Sequence, residues 1–152
     1  MSPESLARLF DYDTAAAREL LDALRDQPAT EEHVRAVFAH MLAARRVWIE
    51  RLQNDGRSET PVWPSLDWDE CEALIDENDE AYTAYLAEVS ASDLEAPVSY
   101  QNSAGREFAN RPVDILMHVI VHGGYHRGQI AQSVRRAGGE PINTDYITHL
   151  RR

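Results

Sequence analysis

His118-Val-Ile-Val-His122-Gly-Gly-Tyr-His126-Arg127-Gly128-Gln129-Ile130 is the stretch on which the reading of this chain turns. Extended back to Pro112 and on to Ala137, it carries a stripe at Ile115/Leu116, Val119, Gly123, Ile130 and Val134. That is the three-to-four spacing of a helix with one buried face. Pro112 suits the first helical turn, and Gly138-Gly139 end the run. His122 and His126 lie within the stripe, so both point into the protein. On a helix, positions four apart share a face and lie about 6 Å apart along the axis. Two such rings reach one metal ion, whose bonds to imidazole are about 2.0–2.1 Å. Three of the six histidines fall in the nine residues from His118 to His126, which scattered core or surface histidines rarely do.

Working outward, three more helices precede this one. Leu6, Leu9/Phe10, Asp13, Ala16/Ala17, Leu20/Leu21 and Leu24 predict a first helix from Pro3 to Asp26, stopped by Pro28. Thr30-Glu31-Glu32-His33 resembles a capped start with carboxylates in the first turn. The second helix then runs to about Asn54 through Val34, Val37/Phe38, Met41/Leu42, Trp48/Ile49 and Leu52. Residues 55–66 read as a loop, with Trp63 folding back onto the body. Residues from Asp67 to Val89 read as a third helix with an acidic outer face. Val98-Ser-Tyr100 and Arg106-Glu-Phe108 suggest a short hairpin or extended insert. A short turn is expected at Thr144-Asp145-Tyr146-Ile147. Four helices of about 20–26 residues imply an all-α four-helix bundle, one domain over residues 1–152, with the insert before the last long helix.

Composition narrows the function classes. Of 152 residues, 43% are hydrophobic and 27% charged, as in ordinary globular proteins. A net charge of −11 repels phosphate backbones and argues against nucleic acid as a partner. All 15 basic residues are arginine, so no Schiff-base or P-loop lysine is available. No apolar run approaches a membrane span. The lone Cys71 forms no internal disulfide, and Met1-Ser2-Pro3-Glu4 lacks a signal-peptide pattern. A cytoplasmic protein is expected.

A one-ion site needs at least a third protein ligand. The second helix offers His40, in the row Val37, His40, Ala44, Trp48, with small Ala43 and Ala44 leaving room for a pocket. His33 shares that azimuth but stands about 10 Å away along the axis and reads as a first-turn surface residue. His118, at the edge of the stripe, reads as a supporting group rather than a ligand. His149 is expected on the exposed tail. Gly123 and Gly124 each weaken a helix by roughly 1 kcal/mol relative to alanine, which suggests close packing or an open position beside the ion. A zincin protease needs glutamate after the first histidine, where this chain has Gly123. A di-iron bundle needs Glu-x-x-His pairs, and no glutamate occurs between Pro112 and Ala137. Three histidines without a carboxylate suit Zn²⁺ or Ni²⁺, with Fe²⁺ or Mn²⁺ also compatible. A bundle without metal, its histidines satisfied by protein hydrogen bonds, is the remaining reading of the residues.

With His40 in mid helix two, the His118–Ile130 string, and Gly138-Gly139 followed by Thr144-Asp145-Tyr146, the chain resembles the DinB/YfiT-like family of metalloenzymes over nearly its whole length. The resemblance implies a four-helix bundle, often a homodimer, with His40, His122 and His126 as metal ligands. Arg127 and Gln129 match the family string and read as structural or supporting residues. Members often carry an aromatic residue and an asparagine in mid helix one. This chain has Asp13, Thr14 and three alanines after Tyr12, which implies a pocket that is wider or closed differently.

The resemblance also implies metal-dependent chemistry on a small-molecule substrate. Relatives include S-transferases and isomerases that use a low-molecular-weight thiol, and hydrolysis by metal-activated water is a second route. Tyr12, Asp13, Tyr125 and Arg127 are the candidate helpers. The alternative is a non-catalytic, stress-related metal-binding protein or dimeric interaction module. An apolar stripe on helix one or helix three is the candidate dimer surface.

Overall fold

Residues 1–27, 32–102 and 104–151 are described by a computed structural model. Four long helices form the body: α1 (Pro3–Arg25), α2 (Glu32–Gln53), α3 (Trp68–Glu88) and α4 (Pro112–Arg136). Between α3 and α4 lie one 3₁₀ turn (Asp93–Glu95) and an antiparallel hairpin, β1 (Val98–Gln101) with β2 (Glu107–Asn110). Its register sets Val98 opposite Asn110 and Gln101 opposite Glu107. A single helical turn, α5 (Tyr146–His149), stands where the sequence suggested one. The expected order of elements is therefore found, and the insert is a true hairpin. The cap expected at Thr30 and the stop expected at Pro28 lie outside the described residues.

Local chemistry sets the helix starts. Ser2 caps α1, its side chain accepting from the Ser5 N–H at 3.3 Å, and Pro3 follows in the first turn. Asp67 and Glu70 form a reciprocal capping box at the start of α3, with bonds of 2.8 and 2.7 Å. At Gly56 the loop after α2 turns with φ of +81° and passes close to β1. A Cβ there would stand 2.0 Å from the Ser99 carbonyl oxygen, so only glycine brings loop and hairpin together.

The apolar core is divided into two halves. One gathers Leu20, Leu21, Leu24, Phe38, Leu42, Ile75, Ile130 and Val134. The other gathers Leu6, Phe10, Ile49, Tyr82, Leu116 and Val119. Between them runs a buried polar layer to which each long helix contributes: Asp13 and Thr14 from α1, Arg45 from α2, Asn78 from α3 and Arg127 from α4. Buried charge persists when it is paired, and here the charges are paired, while Arg45 Nε and Nη1 and Asn78 Oδ1 have no hydrogen-bond partner among the described residues. Asp13 accepts from Arg127 through one carboxylate oxygen and lies 3.3 Å from Arg45 through the other. Arg45 also donates to Thr14 at 3.1 Å and lies over the Phe10 and Tyr82 rings. Asn78 and Tyr82 donate to the Leu42 and Arg45 carbonyls of α2.

The apolar stripes of α1 and α3 face this core, so neither offers the exposed surface expected of them. Among the described residues, the large exposed apolar side chains of the helices are Val121 and Tyr125 on α4 and Ile147 on α5.

Candidate metal centre

α2 and α4 present the three histidines to one another at the edge of the polar layer. His40 and His126 are buried and His122 is half-buried. One ligating nitrogen from each lies within 4.8 Å of the other two. Ring centroids are 4.8 Å apart for His40 and His126, 5.4 Å for His40 and His122, and 4.3 Å for His122 and His126. The group could hold a metal ion.

The hydrogen bonds around the triad fix which nitrogens face inward. His40 Nδ1 is 2.7 Å from the Val62 carbonyl oxygen. His126 Nδ1 is 2.7 Å from Gln129 Oε1. Each oxygen can only accept, so Nδ1 carries the proton in both rings and Nε2 keeps its lone pair. Metal-bound histidines are held by this kind of outer bond. His126 Nε2 and His122 Nε2 are 3.0 Å apart. That spacing serves either a hydrogen bond donated by His122 or two lone pairs on one ion. Two nitrogens at 2.0–2.1 Å from a shared ion lie about 3–3.5 Å apart.

Electrostatics favours the neutral form of His122 and His40. Burial first, then the neighbouring His126, His118 and His40, push His122 down to about 4, with Asp13 acting weakly the other way. Burial also lowers His40, and the Val62 bond offsets only part of that. Neutral imidazole is the form that binds metal.

The walls come from elsewhere in the chain. Trp63 folds back as expected and lies flat on His40, 3.8 Å between centroids and 9° between planes. Tyr125 packs edge-on against His126 and accepts from Gln129 at 3.0 Å. Beyond Val62 opens a cleft of about 1170 Å³ between the loop after α2 and the hairpin, with Arg51, Ser58, Tyr100 and Phe108 in its walls.

A family model described as "DinB family" matches residues 9–152. The chain belongs to the DinB family. Among curated relatives of this DinB-family chain is "Protein DinB" of Bacillus subtilis (strain 168). The two are 25% identical over 160 residues, covering 94% of this chain and 92% of that one. Among solved structures is a DinB-like protein from Bacillus cereus ATCC 10987, with a TM-score of 0.63 at 22% identity. It covers 92% of this chain and 95% of its own, and the likeness is one of fold.

In this DinB-family chain His40, His122 and His126 come together as the sequence suggested. His118 stays outside the group, packed against Trp48 at 5.5 Å and His122 at 5.4 Å; burial against these rings lowers its pKa. His33 is exposed, as expected. His149 departs from expectation. It is half-buried because α5 crosses α1, setting its ring 5.6 Å from Tyr12. Of the candidate helpers, Tyr12, Asp13 and Arg127 are drawn into the polar layer, where Arg127 donates to the Tyr12 hydroxyl at 3.1 Å and Tyr12 donates to the Thr144 carbonyl at 2.6 Å. Burial alone would lower the Arg127 pKa, but Asp13 more than reverses it. Tyr125 is the helper left on the surface.

Gly123 acquires a reason. A Cβ there would meet Asp13 Oδ1 at 2.9 Å and Arg127 Nη1 at 3.1 Å, so the glycine admits the ion pair beneath the histidine helix. Gly124 has no comparable constraint. Sequence reasoning missed Arg45, Val62 and the reach of Gln129 back to His126. Arg45 carried a signal, since it stands three to four residues from both Met41/Leu42 and Ile49, inside the apolar register. Val62 carried none, because its part is played by a backbone carbonyl.

Proposed function

We propose that His40, His122 and His126 hold one divalent ion, zinc or nickel first, iron or manganese next, and that the protein is a metal-dependent enzyme acting on a small molecule. The observation that carries this is the pair of outer hydrogen bonds. Val62 and Gln129 set His40 and His126 with Nε2 lone pairs inward, so that two of the three rings turn a lone pair toward one point, as a shared ion would use them. With family membership, it supports an S-transferase or isomerase that uses a low-molecular-weight thiol. An ion held there supplies positive charge that lowers the pKa of a thiol or water beside it.

The chain's own residues do the positioning. Val62 and Gln129 hold the ligand rings, and Trp63 and Tyr125 pack against His40 and His126. The cleft behind Val62 gives a small substrate room to lie. A cytoplasmic homodimer that does not bind nucleic acid belongs to the same reading, supported by the acidic charge and by the exposed Val121 and Tyr125 on α4. Among the described residues no helix is long and apolar enough to cross a membrane.

One feature favours the competing, non-catalytic metal-binding role: Trp63 lies directly on His40 and covers that side of the site. The deciding experiment mixes protein, a panel of small thiols and the electrophile 1-chloro-2,4-dinitrobenzene, with and without chelator. Conjugation that is lost on chelation and restored by one metal supports the enzyme. A metal-loaded protein that is inactive with every thiol, and whose ion exchanges no ligand with solvent, supports the non-catalytic role.

A further inference from the structure

Arg51, at the end of α2, is held in a way the metal site does not explain. Its guanidinium lies over the Trp48 ring at 4.7 Å and the Tyr100 ring at 5.1 Å. One Nη2 hydrogen is donated to the Gln101 carbonyl at 2.8 Å, tying α2 to the hairpin. It pairs with no carboxylate among the described residues, in a chain with 26 acidic residues against 15 arginines. None of its nitrogens is an orphan sealed in the interior. Among the described residues the guanidinium makes no other side-chain hydrogen bond, and Arg51 lines a cleft. A planar guanidinium, immobilised by stacking and with donors to spare, is suited to a carboxylate.

The cleft fits the rest of such a ligand. Val47, Pro61, Val62, Tyr100 and Phe108 give it apolar wall. Asp55, Glu59 and Glu107 also line it, but all three are exposed to solvent, where water and salt screen them. Arg51 is half-buried, so its field is screened less. No histidine of the triad lines the cleft, and the two are linked through shared neighbours. Val62 lines it and holds His40, and aromatic contacts run from Tyr100 through Trp48 and His118 to His122 at 5.0, 5.5 and 5.4 Å.

We propose that this cleft is a binding site for a small organic carboxylate with an apolar body, its carboxylate on Arg51. The site adds a substrate class to the metal-centre reading. It rests on that reading only for where the far end of the ligand lies, since binding to Arg51 requires no ion.

The test is a titration followed by tryptophan fluorescence, because Trp48 reports on Arg51. The probes are 3-phenylpropionate and its neutral amide, 3-phenylpropanamide. The proteins are wild type, Arg51→Gln, Arg51→Lys and His122→Ala. Wild type and His122→Ala are expected to bind the acid about tenfold or more tightly than the amide, and more weakly as salt rises. Arg51→Gln is expected to lose that preference. Arg51→Lys, which keeps the charge but not the fork, is expected to retain a smaller one and serves if Arg51→Gln fails to fold. Equal binding of acid and amide, no saturable binding, or a preference that survives in Arg51→Gln overturns the proposal. A preference lost in His122→Ala but kept in Arg51→Gln places the carboxylate on the ion, which overturns this site and leaves the metal centre standing. Arg51-dependent binding in a protein that takes up no metal does the reverse.

Discussion

Gly123→Ala and Gly124→Ala form a matched pair, one residue apart on the same helix, with opposite expected effects. In a helix interior either change gains about 1 kcal/mol from backbone propensity. At Gly124 the new methyl meets only Arg127 Nη2 at 3.8 Å, an ordinary contact. The gain is kept, and a protein of this size melts roughly 2–4 °C higher. At Gly123 the methyl meets Asp13 Oδ1 at 2.9 Å and Arg127 Nη1 at 3.1 Å. Neither atom belongs to a free chain end, because Asp13 is also held beside Arg45. Overpacking costs about 1–3 kcal/mol, and breaking a buried ion pair outright costs about 3–5 kcal/mol. With the propensity gain set against a partial loss of the pair, the net is a destabilisation of about 1–3 kcal/mol, or roughly 2–12 °C. Thermal melts of both variants and wild type, followed by circular dichroism in the presence of chelator, read the difference. A Gly123→Ala protein that melts at or above wild type would refute the packing of α4 onto the Asp13–Arg127 pair.

Three further outcomes follow from the same geometry. Gln129→Ala removes the acceptor of the His126 Nδ1 proton from an exposed position. Metal affinity by competition with a chromogenic chelator should fall about 10–100-fold with the melting temperature unchanged; unaltered affinity would deny Gln129 its orienting role. Asp13→Asn leaves Arg45 and Arg127 buried without their counter-charge and should cost about 3–5 kcal/mol in urea unfolding; a loss below 1 kcal/mol would mean the layer is solvated. His122, His40 and His118 all have pKa values lowered in the folded chain. The unfolded chain therefore binds protons first, so their contribution to stability is full above about 6.5 and declines as pH falls below it, for His122 until about 4. The urea midpoint of chelated protein should decline from pH 6.5 to 5, before most carboxylates titrate, and a flat profile there would contradict the buried neutral rings.

The helices and the histidine pair were legible because both are periodic properties of a local stretch. Apolar spacing placed α1, α2, α3 and α4 within one or two residues, and Pro112 and Gly138 marked the ends of α4. His40 was legible for the same reason, since its register on α2 could be compared with that of the pair on α4. The hairpin was visible in Val98, Tyr100 and Phe108. What was hidden depends on which surfaces meet. The polar layer assembles one or two residues from each helix, and only the assembled bundle shows that Asp13 stands between Arg45 and Arg127. The Val62 carbonyl and the flat stack of Trp63 on His40 belong to a loop whose path no local pattern fixes. His149 was placed on an exposed tail because nothing nearby in the chain signals that α5 crosses Tyr12. Gly123 and Gly124 looked alike in sequence, and only the position of Asp13 across the helix interface separates them.

The central claim is that His40, His122 and His126 share one ion, and metal stoichiometry tests it most directly. Untagged protein and its His122→Ala variant are measured by elemental mass spectrometry after exposure to zinc, nickel, iron and manganese in turn. The account predicts about one divalent ion per chain in wild type and a loss of it in the variant. Wild-type protein that retains none of the four, or a variant that retains as much as wild type, would contradict it, and the His122–His126 contact would then be a hydrogen bond within a polar core.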